Sequence, residues 1–308
     1  MSSRIGLLVM AHGTPGDPQE IAPFYTRIRR GRPPTPEQLA ELQQRYAAIG
    51  GLSPLRQRTE AQVDGLRNVL DRRHPGRYVV AYGAKHTEPL IEVAATTLMQ
   101  TGVDRVLGLV LTPHGSSLGS QEYQDRARAA LGRTCPFREV APWYGQPELV
   151  ALLADRVTEA RGTFSEVGPD RLTVAFTAHS LPERVRAMGD TYPEQLEESA
   201  ALVAEAAGLT RHVVAWQSAG RTPEPWLGPD IRDLVRQLAA EGSADALIVC
   251  PIGFVADHLE ILYDIDVELA AVATEVGLPW ARTASLNDDP RFIDMLADVV
   301  HAADLEAG

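Results

Sequence analysis

The sequence predicts an α/β protein of two similar Rossmann-like domains, each with a four-stranded parallel sheet flanked by helices. Three observations carry this. Short apolar runs alternate with segments of helical periodicity along all 308 residues, the order that builds parallel sheets covered on both faces. The two halves echo each other. Ala11-His12-Gly13-Thr14-Pro15 is matched by Ala178-His179-Ser180-Leu181-Pro182, and Leu111-Thr112-Pro113-His114-Gly115 by Val249-Cys250-Pro251-Ile252-Gly253. More loosely, Lys85-His86-Thr87-Glu88-Pro89 is matched by Arg221-Thr222-Pro223-Glu224-Pro225. Between the halves, residues 162–170 are polar and carry two glycines and a proline, which sets domains of 1–162 and 163–308 facing each other over a cleft.

In chain order, Ile5–Ala11 is a continuous apolar run of strand length. The segment Ile28-Arg29-Arg30-Gly31-Arg32-Pro33-Pro34 reads as a loop, because its glycine and prolines interrupt either periodicity. Pro36–Ile49 and Arg58–Arg73 have helical spacing, and Ser53-Pro54 suits a cap followed by a first-turn proline. Strand Tyr78–Gly83, helix Ile91–Thr101, strand Val106–Leu111, helix Gln121–Leu131, strand Phe137–Ala141 and helix Pro147–Ala160 complete the first half. The second half alternates in the same way: Leu172–Phe176, Glu194–Ala206, His212–Trp216, Pro229–Ala240, Ala246–Ile252, Asp257–Ala273, Trp280–Ser285 and Pro290–Ala302. Asp257 reads as the cap of its helix.

Bulk properties narrow the function. A net charge of −12 argues against a nucleic-acid partner. No apolar run approaches the ~18 residues that a membrane span needs. Met1-Ser2-Ser3-Arg4 shows no cleavage-site pattern, so a cytoplasmic protein is expected. The two cysteines, Cys135 and Cys250, are too few for an iron–sulfur cluster, which usually takes about four thiolates, and read as core thiols. No glycine-rich phosphate loop follows a strand, which weakens a nucleotide-binding reading of the fold.

Two motifs carry chemistry. His179 ends an apolar strand, where α/β sheets place ligands, although a helix capped at Ser180 is the plainer alternative. In Asp257–Ala273, Glu260, Asp264 and Glu268 fall four residues apart, so an α-helix would stack three carboxylates on one face. Like charges at that spacing repel, and a divalent cation or moving protons would make them useful. The alternative is an ordinary solvated acidic face. His86 and His114 sit at strand ends facing the expected cleft, with a satisfied structural histidine as the equal alternative for each, and Trp226 reads as a packing anchor.

These pieces resemble the ferrochelatase family, which inserts ferrous iron into a porphyrin. The resemblance rests on Thr177-Ala178-His179-Ser180-Leu181-Pro182, Gly253-Phe254-Val255-Ala256-Asp257-His258-Leu259-Glu260, Ile49-Gly50-Gly51-Leu52-Ser53-Pro54-Leu55 and Trp226-Leu227-Gly228-Pro229-Asp230, in the family's order. It implies the chelatase fold with a porphyrin cleft between its halves. The first half would hold the porphyrin with its loops; the second would carry the metal-side histidine and the acidic helix. The short, cluster-free enzymes of monoderm bacteria are most similar, which implies coproporphyrin III as substrate and coproheme as product.

The resemblance further implies His179 and Glu260 as the catalytic, metal-facing pair, with Asp264 and Glu268 as an outer acidic site able to hold Mg2+. His12 stands where this subgroup usually has tyrosine, on the opposite face of the ring. Arg29, Arg45, Tyr46, Ser53 and Tyr123 match residues that hold the macrocycle and its propionates. Arginine forks suit carboxylates, which gives the Arg29 loop a use beyond solvation. Fe2+ is expected as substrate, with no tightly bound cofactor, a monomeric chain, and transient contact with other heme-pathway enzymes. Insertion into protoporphyrin IX, insertion of cobalt or nickel into a more reduced tetrapyrrole, and a non-catalytic heme or coproheme carrier are the alternatives. The carrier reading draws on His12 as a second axial imidazole.

Overall fold

The computed structural model describes residues 4–220 and 222–306. Arg221 of the loosest internal echo and Met1 to Ser3 lie outside them. Among the described residues there are two four-stranded parallel sheets. The first contains β1 (Ile5–Ala11), β2 (Tyr78–Ala84), β3 (Arg105–Val110) and β4 (Phe137–Glu139), ordered β2-β1-β3-β4. The second contains β5 (Leu172–His179), β6 (His212–Gln217), β7 (Ala246–Cys250) and β8 (Trp280–Arg282), ordered β6-β5-β7-β8. The order is the same in both, with the first strand of each half flanked on both sides. All eight expected strands are present.

The helices are α1 (Ile21–Ile28), α2 (Pro36–Ala48), α3 (Leu55–Arg73), α4 (Ile91–Gln100), α5 (Ser120–Leu131), α6 (Pro147–Arg161), α7 (Arg184–Ala187), α8 (Tyr192–Ala206), α9 (Ile231–Glu241), α10 (Leu259–Leu262), α11 (Ala270–Val276) and α12 (Pro290–Leu305). Helix α1 was not anticipated; it precedes the arginine loop and fixes where that loop begins. The expected Asp257–Ala273 helix is broken into α10, a π-helical stretch over Asp264–Leu269, and α11. Asp257 does not cap it. His258 holds the cap position, while Asp257 accepts hydrogen bonds from Ser285 (2.7 Å) and Asn287 (2.9 Å). Nor does a helix start at Ser180, whose hydroxyl donates to the Leu227 carbonyl at 2.8 Å.

Alternation along β1 explains the layers. Leu7 and Val9 point into a core shared with α3, α6, β5 and α12, whereas Leu8 and Met10 face α4 and α5. The shared core contains Phe176 of β5 and Phe292 of α12, both fully buried, so the two sheets rest on one continuous apolar mass. Helix α12 is also tied back to the first sheet by Asp304. This fully buried carboxylate accepts from Arg77 (Nε, 2.7 Å), Tyr78 (2.9 Å) and Arg105. Removing one member of such a buried set costs ~3–5 kcal/mol, because charges are left uncompensated. Cys135 and Cys250 are buried in different cores. Among the described residues no helix is long and apolar enough to cross a membrane.

Candidate active site

The C-terminal ends of β1, β3, β5 and β7 open on one cleft, as expected for a parallel α/β sheet. It has two lobes, of about 340 and 500 Å³, which share His12, Leu55, His258 and Glu260. The inner lobe is walled by apolar groups including Leu111, Leu118, Leu181 and Phe254. The outer lobe is lined by Arg29, Arg45, Tyr46 and Ser53.

His179 is the last residue of β5, and Glu260 lies in the first turn of α10 after β7. A tight passage brings them together. Gly253 donates its N–H to the Thr177 carbonyl at 3.0 Å, and a Cβ there would fall 2.9 Å from the Ala178 Cα. Only glycine lets the loop cross the end of β5 this closely. The same loop is gripped from α3, where Gln62 donates to the Val255 carbonyl (3.3 Å) and the Asn287 carbonyl (2.7 Å).

Three histidines are set alike. Nδ1 of His179 lies 2.5 Å from the Ser180 carbonyl, that of His258 lies 2.9 Å from Ala256, and that of His12 lies 3.0 Å from Gly13. A carbonyl only accepts, so the hydrogen-bond network assigns the proton to Nδ1 and leaves Nε2 as the basic nitrogen. Nε2 of His179 faces one oxygen of Glu260 at 3.8 Å, and Nε2 of His258 faces the other at 3.6 Å. Lone pairs aimed at a carboxylate call for a positive charge between them, either a proton on a ring or a metal ion. His258 was overlooked in the sequence, although it stands two residues before Glu260 in the quoted motif.

Electrostatics sharpen this. Burial works against ionisation of Glu260, but His179, His258 and His12 outweigh it and lower its pKa to about 2, so it stays a carboxylate. His12 opens on the cleft yet is ringed by protein; desolvation lowers its pKa despite the attraction of Glu260, so the ring is neutral. His86 stands 4.7 Å from His12, centroid to centroid, and is lowered to about 3, first by burial and then by His12. Among the described residues, no three His, Cys, Asp or Glu side chains converge tightly enough to hold a metal ion by themselves.

The acidic ladder is not a bare row. The π-helical stretch changes the register after Glu260. Asp264 is buried and accepts from the Ser218 hydroxyl, with Arg45 Nη1 at 3.7 Å. Burial raises its pKa to about 6; Ser218 and Arg45 oppose the rise, and Glu260 and Glu268 add to it. Glu268 turns away from both lobes and pairs with Arg232 at 3.0 Å.

The remaining expected residues divide by lobe. Arg29 follows α1 with its guanidinium 5.7 Å from the Tyr25 ring and donates to the Arg32 carbonyl at 3.3 Å; among the described residues it has no carboxylate partner. Arg45 lies over the Tyr263 ring at 4.9 Å. Tyr46 is buried, and its hydroxyl is 3.5 Å from that of Thr14. Ser53 lines the outer lobe and accepts from the Leu55 N–H at 3.3 Å, but it does not hold the expected cap position of α3, which falls on Pro54. Tyr123 instead lines the inner lobe, beneath the Lys85 ammonium at 5.0 Å. Lys85, the one ammonium in that lobe's lining, carried no signal in the sequence beyond its place at a strand end.

The ferrochelatase family profile matches residues 4–304. The chain belongs to the ferrochelatase family. Its relatives include the coproporphyrin III ferrochelatase of Bacillus subtilis, 44% identical over 300 residues that span 96% of this chain and 97% of that one. The coproporphyrin III ferrochelatase of Anoxybacillus flavithermus is 43% identical over 311 residues, spanning 97% and 96%. Among solved structures, SirB from Bacillus subtilis with Fe3+ superposes with a TM-score of 0.61 at 11% identity, covering 99% of this chain and 97% of that chain. At that identity the likeness concerns the fold. As a ferrochelatase the chain is a metal-inserting enzyme, and the nucleotide-binding alternative falls away.

Proposed function

We propose that this chain inserts ferrous iron into coproporphyrin III to give Fe-coproporphyrin III. The observation that carries the reading is the His179–Glu260–His258 cluster at the meeting of the two lobes, in a chain 42–44% identical to several enzymes named for that reaction. The chemistry exchanges Fe2+ for the two pyrrole N–H protons. Nε2 of His179 is left unblocked by the ring's own backbone bond at Nδ1, so it serves as ligand to arriving iron or as acceptor for a leaving proton. Glu260, held ionised, stabilises the positive charge in either case. The apolar inner lobe and its backbone-anchored histidines favour a fixed ring pose; a ring bent toward the product lowers the barrier.

Arg29 and Arg45 bind propionates at the outer lobe, with Tyr46 and Ser53 as hydroxyl partners, and Tyr123 bounds the ring from the inner lobe. His12 presents Nε2 to the opposite face. On this reading, residues 1–162 supply the porphyrin-holding groups and residues 163–308 the metal-facing ones, in a monomeric cytoplasmic enzyme without a cluster. The outer acidic pair does not fit a resident Mg2+ as it stands. Arg232 occupies Glu268, Ser218 and Arg45 occupy Asp264, and Asp264 keeps its proton up to about pH 6, so no step depends on such an ion.

The test is anaerobic Fe2+ insertion, followed by absorbance, with coproporphyrin III and protoporphyrin IX side by side. Turnover of coproporphyrin III alone is expected. Turnover of protoporphyrin IX instead would move the enzyme to the other substrate, and tight binding of iron porphyrin without turnover would favour a carrier.

A further inference from the structure

Among the described residues, Lys85 is the one lysine or arginine that lines the inner lobe. The imidazoles of that lobe do not add to its charge. Burial holds His12 and His114 neutral, with His114 lowered to about 3, and His179 and His258 are turned toward Glu260. The Lys85 side chain is 12% exposed, and its ammonium lies 5.0 Å from the centre of the Tyr123 ring, itself part of the lobe wall. After burial, the Lys85 charge is among those that lower the pKa of both His12 and His86, so the ammonium acts on the cleft.

The backbone that carries this side chain is fixed from both sides. Lys85 directly follows β2; its N–H donates to the Ala11 carbonyl at 2.9 Å, and its carbonyl accepts from Arg126 at 2.8 Å. Arg126 is in turn held by both oxygens of Glu92, at 2.6 and 2.8 Å. The ammonium itself is more loosely committed. Its carboxylate partner is Glu122, at 2.8 Å, whose side chain is 47% exposed. A half-exposed partner of this kind adds little stability and is readily rehydrated when released.

We propose that Lys85 selects coproporphyrin III by exchanging Glu122 for a propionate on the ring edge that enters the inner lobe. The proposal rests on the coproporphyrin III reading above. A ring centred where the lobes meet, at Glu260, presents one edge to Arg29 and Arg45 and the opposite edge to the inner lobe. Coproporphyrin III carries propionates on both edges, whereas protoporphyrin IX carries vinyl groups on one of them. A carboxylate that enters an apolar lobe is heavily penalised unless a cation meets it there, and a vinyl group needs none. The exchange keeps the ammonium paired throughout and returns only Glu122, already half in water, to solvent.

The experiment measures Kd by fluorescence quenching for coproporphyrin III and protoporphyrin IX, with wild type, Lys85→Met and Glu122→Gln. Methionine keeps most of the apolar stem and removes the charge. Lys85→Met should bind coproporphyrin III ~10- to 150-fold more weakly, the worth of a hydrogen bond to a charged group, and protoporphyrin IX at least as well as wild type. Glu122→Gln, which frees the ammonium, should bind coproporphyrin III ~2- to 5-fold more tightly and protoporphyrin IX unchanged. Equal weakening of both porphyrins in Lys85→Met, or no weakening, would overturn the assignment. Should Lys85→Met lose Tm, Glu122→Gln decides, and a coproporphyrin III affinity no better than wild type would overturn it. A wild-type chain that shows this Lys85 dependence in binding but inserts no iron would overturn the insertion reading and leave the anchor standing; one that binds neither porphyrin would overturn both.

Discussion

Asp264 and Glu268 lie four residues apart yet answer to different arginines: Arg45 reaches Asp264 across the cleft at 3.7 Å, and Arg232 holds Glu268 at 3.0 Å. The first is a buried acid with a raised pKa, the second a compensated surface charge.

Asp264 should therefore cost stability at neutral pH. Its pKa of about 6 exceeds the ordinary 3.8, so between these values the folded chain binds more protons than the unfolded one, and stability falls as pH rises through that window. The gap corresponds to ~3 kcal/mol, part of which an asparagine would recover. Asp264→Asn should gain about 1–3 kcal/mol in urea unfolding at pH 7.5 and gain nothing at pH 3.5. Equal stabilisation at both pH values would show that charge is not the cause.

His114 acts in the opposite sense. With its folded pKa near 3 against 6.5 when unfolded, the unfolded chain takes the proton first, so stability is full above about pH 6.5 and falls as pH drops toward 3. One such group contributes a slope of up to ~1.4 kcal/mol per pH unit. The slope of unfolding free energy between pH 6.5 and 5 should flatten in His114→Gln; an unchanged slope would assign acid sensitivity elsewhere.

His179→Ala should remove iron insertion almost entirely, by more than ~10²-fold, while leaving coproporphyrin III binding close to wild type. Fluorescence quenching of the porphyrin reads the binding, and absorbance reads the insertion. Retained turnover would take the metal-facing role from His179.

Among the described residues Arg29 has no carboxylate to lose, so its removal should be felt by the substrate. Losing a charge-assisted bond of ~1.5–3 kcal/mol predicts roughly 10- to 150-fold weaker binding of coproporphyrin III by Arg29→Ala. The tetramethyl ester of the porphyrin should bind both proteins equally. Discrimination of the ester by Arg29→Ala would point to packing in place of charge.

His12→Tyr should keep insertion and shift the visible spectrum of bound product. An identical spectrum would mean that the His12 Nε2 does not reach the iron.

Much of this was legible before the fold was seen. The strands were, because Ile5–Ala11 and its counterparts are apolar throughout and bounded by turn residues, and the internal echo agrees with the strand order being the same in both sheets; the order itself is seen only in the structure. The π-helical stretch was not. Ile261, Ile265 and Leu269 are buried at a spacing that an α-helix would also satisfy, so periodicity could not reveal it. His258 was missed for a related reason. In sequence it is one more residue before a helix, and only its Nδ1 bond to the Ala256 carbonyl turns its Nε2 toward Glu260.

The repeated strand order has one more effect. His12 directly follows β1 and His179 ends β5, strands that hold the same place in their sheets, so the cleft is approached by two related imidazoles from opposite sides. The duplication alone would make a gate with two indistinguishable doors. Glu260 and His258 belong to the second half, and the rings that meet His12 are Phe24 and His86. That difference leaves the two related imidazoles in unlike surroundings, a carboxylate against the His179 ring and aromatic rings against His12.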